Sequence, residues 1–468
     1  MPALSHHRFL CLFSFLSLLL LLSGCASTTA PHNSPIVEQP GEHGYRDSLS
    51  RRRSGPDSLT FGLSFSGGGS RAAALAYGVL EELANTRVTV RGQSTRLLDI
   101  VENISAVSGG SYTAAYYGLF GDRLFTDFER KFLKRNVQNE ITSTLLSPTN
   151  LISMSSPYYG RSDVLAEYLD QTLFEGKTFG DLEKAVRQEG RPFVLINATD
   201  MGRTSRFEFT QNQFDLLCSD LAPYKVSRAV AASSAVPVVF SPITLTNYAG
   251  RCAHTNTDLL ELELIDRRDS IRRYALAADL KSYLDADKRR YIHLLDGGLA
   301  DNLGLRATLD RLALLGANRM LEAWQRPALK RLVRIVVNAQ VHSDYPQLDH
   351  FAEVPTLSAI AYTVSNTTDR FNVETLAYAR SSMDQIAREI AEKQREDGRG
   401  NGDDVRASLI EIGFDDLPDA TERAYFNALP TSFNLPPEAI DRLREVGARL
   451  LRASPDYQRL LRELPEML

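Results

Sequence analysis

The sequence predicts an α/β fold built on a mainly parallel central sheet. Three observations point there. Short apolar runs of strand length recur between residues 59 and 337, and amphipathic helical patterns lie between them. Two glycine-rich turns each join an apolar run to an alanine-rich, helix-like one. Strands separated by helices need crossover connections, so neighbouring strands run parallel and are buried on both faces.

The first strand is expected at Leu59 to Phe65. The turn Gly67-Gly68-Gly69-Ser70-Arg71 follows, then a helix from about Arg71 to Leu83. Ile104 to Val107 is the second strand, followed by Ser108-Gly109-Gly110-Ser111 and a helix through Tyr117. Phe193 to Ile196, Tyr291 to Leu295 and Leu332 to Val337 read as further buried parallel strands. Leu305, Leu309, Leu312 and Leu315 mark a helix among them. Beyond residue 340 the strand signals fade. Leu376, Met383, Ile386 and Ile390 define one amphipathic helix, and Ile440, Leu443, Val446, Leu450 and Leu451 another, with a charged loop at Glu396 to Asp404. Residues 58–340 are therefore expected as the α/β domain and 341–468 as a helical C-terminal extension.

Composition is that of a globular chain: 468 residues, 43% hydrophobic and 24% charged. A core of that size needs neither a disulfide framework nor a structural metal. The net charge of −5 argues against nucleic acid as a partner, which calls for a basic surface.

The N-terminus reads as a targeting segment. His6, His7 and Arg8 precede an apolar run from Phe9 to Leu22, of signal-peptide length and short for a membrane span. The run ends Leu22-Ser23-Gly24-Cys25, which resembles the lipobox of bacterial lipoproteins. That resemblance implies cleavage after residue 24 and lipidation of Cys25, against an ordinary secretory signal with Cys25 unmodified. Ala26 follows, and the enteric-type sorting rule then implies the outer membrane. Residues 25–57, rich in Ser, Thr, Pro and charge, are expected as a flexible tether.

Cys11 leaves with the signal, so Cys218 and Cys252 remain, in a compartment that permits disulfides. A bridge between them is the expectation, with two buried free thiols as the alternative. Residues 131–160 mix Lys131, Lys134 and Arg135 with Leu145, Leu146, Leu151, Ile152, Met154, Tyr158 and Tyr159. Two readings stand: a lid or membrane-facing loop, or an ordinary surface insertion.

The glycine turns carry the chemistry. Glycines at a strand-to-helix turn let backbone N–H groups approach a developing negative charge, and the helix N-terminus adds its positive dipole end. Ser108 sits in a near match to Gly-x-Ser-x-Gly, with Ala106 at the first glycine position. Ser105 and Ser111 are nearby rivals without the same flanking pattern. Asp296, in Leu294-Leu295-Asp296-Gly297-Gly298, ends an apolar strand, where open α/β sheets place their sites. Each motif alone also describes a plain βα turn or a turn aspartate. Asp296 is the strongest candidate base, but the sequence also permits a histidine, with His254 and His293 in the relevant stretch. His293 lies three residues before Asp296 on the same strand and is expected to pack against the sheet.

Together these elements resemble the patatin-like phospholipase family from about Leu59 to Asn302. The matching parts are Gly67-Gly68-Gly69-Ser70-Arg71, Ser108 in its elbow, and Asp296-Gly297-Gly298. The Ala/Ser-rich segment Ala229 to Pro237, running on to Phe240 and Pro242, is the fourth. Ala106 is the one departure. The resemblance implies a three-layer fold and a Ser–Asp dyad, with Ser108 as nucleophile, Asp296 as base and the N–H groups of Gly67, Gly68 and Gly69 as oxyanion hole. It implies a lipid acyl hydrolase of the phospholipase A or lysophospholipase type, acting on membrane phospholipid or related esters from the cell envelope. A thioesterase, an acyltransferase or a non-catalytic envelope lipid-binding protein fits the same scaffold. Arg71 is expected to brace the oxyanion loop, Asp200 to make a turn and Asn302 to hold the Asp296 loop. The histidines are scattered, so no metal or cofactor is expected.

Overall fold

The computed structural model describes residues 31–36, 43–52, 56–252, 270–324, 328–341, 356–398 and 405–464. It also describes residues 261, 263, 264, 267, 268 and 326. The signal segment, Cys25, His254 and residues 399–404 lie outside the described residues.

Eight strands form the central sheet. They are β1 (Leu59–Phe65), β2 (Asn103–Val107), β3 (Phe193–Asp200), β4 (Ser205–Glu208), β5 (Ile243–Thr246), β6 (Tyr291–Leu295), β7 (Arg331–Asn338) and β8 (Arg406–Gly413). Their order is β8-β7-β1-β2-β3-β6-β5, with β4 also paired to β3. The five strands from β8 to β3 are mutually parallel. The helices around them include α1 (Gly69–Asn85), α2 (Gly109–Phe120), α3 (Val226–Ser233), α4 (Arg306–Trp324), α5 (Thr356–Glu396) and α6 (Pro437–Ala453).

The alternation of side chains along β7 shows the three layers. Val333, Ile335 and Val337 join the core under α1, α2 and α6. Leu332 and Val336 join a second core with Leu309 and Leu312 of α4 and Met383, Ile386 and Ile390 of α5. A period of two sends successive residues to opposite faces, so one strand feeds two cores.

Three expectations change. First, β6 is antiparallel to β3 and to β5. A short apolar run looks the same in either direction, because periodicity carries no strand polarity. Second, residues 341–468 are not purely helical. β8 pairs in parallel with β7 over Arg406–Gly413 and buries Ile410 and Ile412. Its charged and small residues (Arg406, Ala407, Ser408, Glu411) suit an edge strand and dilute the apolar signal.

Third, the segment expected as a tether is docked at residues 33–36 and 43–49. Ser34 and Pro35 pair with Asp220 and Ser219. Tyr45 is buried against Phe179 and Phe193, and its hydroxyl serves both the N–H and the C=O of Val194. Asp47 ion-pairs with Arg311. Isolated anchor residues of this kind leave no period to read. The basic residues at 131–135 are ion-paired, Lys131 with Glu175, Lys134 with Glu129 and Asp441, and Arg135 with Glu140.

A disulfide joins Cys218 and Cys252, whose Cα atoms are 5.5 Å apart. Among the described residues, no helix is long and apolar enough to cross a membrane.

Candidate active site

β2 delivers Ser108 to the carboxyl edge of the parallel strands. Its last residue, Val107, pairs with Asn197 of β3. β3 continues three residues further, and β6 pairs with that extension, Leu294 opposite Asp200 and Leu295 opposite Thr199. Because β6 is antiparallel, it runs back toward the same edge and stops there. Its next residue is Asp296.

The two side chains meet. Ser108 Oγ donates to Asp296 Oδ2 at 2.9 Å, and Gly298 N–H donates to Oδ1 at 2.8 Å. Both residues are buried, at 6% and 7% exposure. Burial raises the Asp296 carboxyl to about 6, offset in part by those two hydrogen bonds. Ser108 holds φ 46° and ψ −122°, the strained turn that lifts a nucleophile clear of its strand.

Neighbouring atoms over-determine this turn. Ser233, at the end of α3, accepts the Ser108 N–H at 2.8 Å and donates to the Asn197 carbonyl at 2.6 Å. Thr199 Oγ1 donates to the Asp296 carbonyl at 2.8 Å. Asp296 N–H and Gly297 N–H donate to the carbonyls of Ala235 and Ser233. One serine of the Ala/Ser segment thus ties the Ser108 turn to β3, while the backbone beside it holds Asp296.

Ala106 fits without distortion. It is a buried ladder residue paired with Phe65 and Ile196. The close approaches fall after the serine. A Cβ on Gly109 would lie 2.1 Å from the Gly69 carbonyl oxygen, and one on Gly110 would lie 2.7 Å from Phe65 Cβ. The two glycine turns therefore touch backbone to backbone.

The oxyanion loop differs from expectation at one position. Gly67 N–H donates to the Asn302 carbonyl at 3.0 Å, so it is not available to a substrate oxygen. Among the described residues, the N–H groups of Gly68, Gly69 and Gly109 donate to no protein acceptor. Gly109 was not among the expected donors, although the residue after an elbow serine commonly offers its N–H.

The C-terminal residues complete the site. Arg71 is buried and its charge is held by three acceptors: the Ala339 carbonyl at 2.9 Å, the Leu429 carbonyl at 2.6 Å and Thr431 Oγ1 at 3.1 Å. Burial lowers its guanidinium to about 10. Ser70 N–H donates to the Ser432 carbonyl at 2.9 Å. A Cβ on Gly69 would meet that carbonyl oxygen at 2.6 Å.

The remaining candidates sort as follows. Asp200 is buried, caps its own turn through Gly202 N–H and ion-pairs with the partly buried Arg289. Asn302 lies between Gly67 and Gly298. His293 is exposed and bonded to Thr244, away from Ser108. Ser105 and Ser111 are engaged with Asn197 and the Ser108 carbonyl.

A cleft of about 160 Å³ opens over the pair. Its apolar side includes Val236, Pro237 and Leu299. Its polar side includes Gln340, Thr368, Asp369 and Thr431. Among the described residues, no group of His, Cys, Asp and Glu is placed to hold a metal ion.

Residues 63–309 match the family model described as patatin-like phospholipase. The chain belongs to the patatin-like phospholipase family. Ser108, Asp296, the glycine loop and the Ala/Ser segment all lie within the matched residues. Gln340, Thr368, Asp369 and the 429–432 clamp lie outside them. No curated protein matches the sequence. Among solved structures the chain is similar to human GIVD cytosolic phospholipase A2, at 14% identity and a TM-score of 0.37, over 62% of this chain. It spans about half of that chain, 48%.

Proposed function

We propose that this protein is a lipid acyl hydrolase that cleaves phospholipid or related acyl esters by a Ser108–Asp296 dyad. The observation that carries the reading is the 2.9 Å hydrogen bond from Ser108 Oγ to Asp296 Oδ2 in a cleft beside unengaged backbone N–H groups.

Ser108 Oγ attacks the ester carbonyl carbon as its proton passes to Asp296 Oδ2. The tetrahedral oxyanion is stabilised by N–H groups of Gly68, Gly69 and Gly109, with the N-termini of α1 and α2 beneath them. Collapse breaks the ester C–O bond, and the departing alcohol takes the proton from Asp296. Water then attacks the acyl-serine as Asp296 accepts its proton, and collapse breaks the acyl–Oγ bond, releasing the carboxylic acid as Asp296 returns the proton to Ser108 Oγ. A carboxyl at about 6 is ionised at neutral pH yet more basic than an ordinary aspartate, which suits both steps.

Phospholipase A or lysophospholipase specificity is the finer form of the proposal. We also propose that lipidation of Cys25 anchors the chain in the cell envelope, at the outer membrane. A tethered enzyme meets bilayer lipid at high effective concentration. Product analysis on a mixed phospholipid substrate tests the activity. Fatty acid release by the wild type, lost in Ser108→Ala and Asp296→Ala, is expected. Undiminished release by Ser108→Ala contradicts it.

A further inference from the structure

The segment that follows α3 is built to project apolar side chains beside the cleft. Val236 and Pro237 line the cleft itself. The chain then turns sharply, with Phe240 N–H donating to the Val236 carbonyl at 2.9 Å. Val238 and Val239 occupy the tip and are 53% and 55% exposed.

The tip is held in place. Phe240 packs on Phe433, with ring centroids 6.5 Å apart. Arg161 donates to the Val238 carbonyl at 2.9 Å, and Ser162 N–H donates to Ser241 Oγ. Val238 sits at φ 73°. A β-branched residue is a genuine outlier in that region, where glycine or asparagine is usual. Strain of this kind persists where surrounding structure enforces it and is a signature of functional segments. Burial does not explain the choice of valine here, because the side chain faces solvent.

A second set of aliphatic side chains stands on the neighbouring segment. Leu146, Leu151 and Ile152 are exposed around the short helix Pro148–Ser153. That helix connects to the loop through residues 159–162. Asn150 lies at Tyr159 Oη, and Gly160, Arg161 and Ser162 contact Val238 and Ser241. Lys131, Lys134 and Arg135 before this helix are held in ion pairs, while Leu146, Leu151 and Ile152 leave aliphatic side chains in solvent.

We infer that the Val236–Val239 loop, with Leu146, Leu151 and Ile152 beside it, seats the cleft mouth on a lipid layer. Continuity decides the occupant: the same loop forms the cleft wall and the exposed tip, so whatever covers the tip also faces the cleft. Aliphatic side chains at the rim of a substrate cleft exchange water for acyl chain when they enter a lipid layer. This inference deepens the proposed lipid acyl hydrolase reading and rests on it for the choice of lipid.

The test has two arms on the full-length chain. In the first, Val239→Trp is mixed with vesicles of phosphatidylcholine and phosphatidylglycerol, and emission is compared with the unsubstituted chain, which has one tryptophan. A blue shift on vesicle addition, with quenching by bromine-labelled acyl chains, is expected. An unchanged spectrum overturns the inference. So does a shift that grows with protein concentration without vesicles, which assigns the tip to a second copy of the chain.

In the second arm, Val238→Asp/Val239→Asp is assayed on those vesicles and on a soluble short-chain ester. At least a tenfold loss on vesicles, with the soluble rate within twofold of wild type, is expected. Equal loss on both substrates, or loss on neither, overturns the inference. The fluorescence arm needs no turnover, so a failure of the hydrolase reading leaves it readable.

Discussion

Asp296 reaches Ser108 from a strand that runs against the one carrying the serine. β2 brings Ser108 up to the carboxyl edge, and antiparallel β6 brings Asp296 back to it, with β3 as the common partner. Ser108 and Asp296 each directly follow the last residue of a strand, so sheet register sets where their two turns begin.

This placement fixes a pH dependence. The Asp296 carboxyl is raised to about 6 by burial, and only its ionised form accepts the serine proton. The rate constant kcat on a soluble ester is expected to rise about tenfold per pH unit below 6 and to level off above it. An acid limb near 4 would mark an ordinary carboxylate and contradict the assignment.

The same shift bears on stability. The folded carboxyl sits at about 6 against an ordinary 3.8, so the folded state binds the proton more tightly across that window. Its contribution is fully present below 3.8 and is lost as pH rises through 6. Asp296→Asn is therefore expected to stabilise the protein above pH 6, by roughly 1–3 kcal/mol. The gain shrinks to nothing near pH 4. Paired thermal melts across pH read this directly, and a gain independent of pH would refute the linkage.

Ser233 is expected to act as a positioning residue. Its hydroxyl accepts the Ser108 N–H and donates to Asn197. Ser233→Ala should lower kcat about tenfold with KM within twofold, at a stability cost of about 1–2 kcal/mol. Steady-state kinetics that show the loss in KM alone would remove this role.

The clamp on the oxyanion loop lies outside the family-matched residues. Thr431→Val removes one acceptor of Arg71 and keeps the side-chain shape. A fall in kcat of roughly tenfold is expected, with Thr431→Ser restoring it, as for loss of precise donor placement. Wild-type kcat in Thr431→Val would show that Arg71 needs only its backbone acceptors.

The anchor has its own check. Cys25→Ala should abolish fatty-acid incorporation in cells fed labelled palmitate. Unchanged incorporation would refute lipidation at that residue.

Much of this was legible before any coordinate. β1 and β6 begin and end where their apolar runs do. Ser108 and Asp296 announce themselves because glycines surround them at strand ends. What stayed hidden has physical reasons. The direction of β6 leaves no mark on its side-chain pattern. β8 is an edge strand with a mixed face, and Tyr45 docks as a single anchor without a period. The engagement of Gly67 with Asn302 joins residues far apart in sequence, and no local motif reports it.

The central claim is that Ser108 is a nucleophile activated by Asp296. Reaction with a fluorophosphonate, followed by mass spectrometry of the peptides, tests it most directly. The expected result is one adduct, on Ser108, absent in Ser108→Ala and at least a hundredfold slower in Asp296→Ala. No adduct on the wild type, or an adduct that persists in Ser108→Ala, would contradict it.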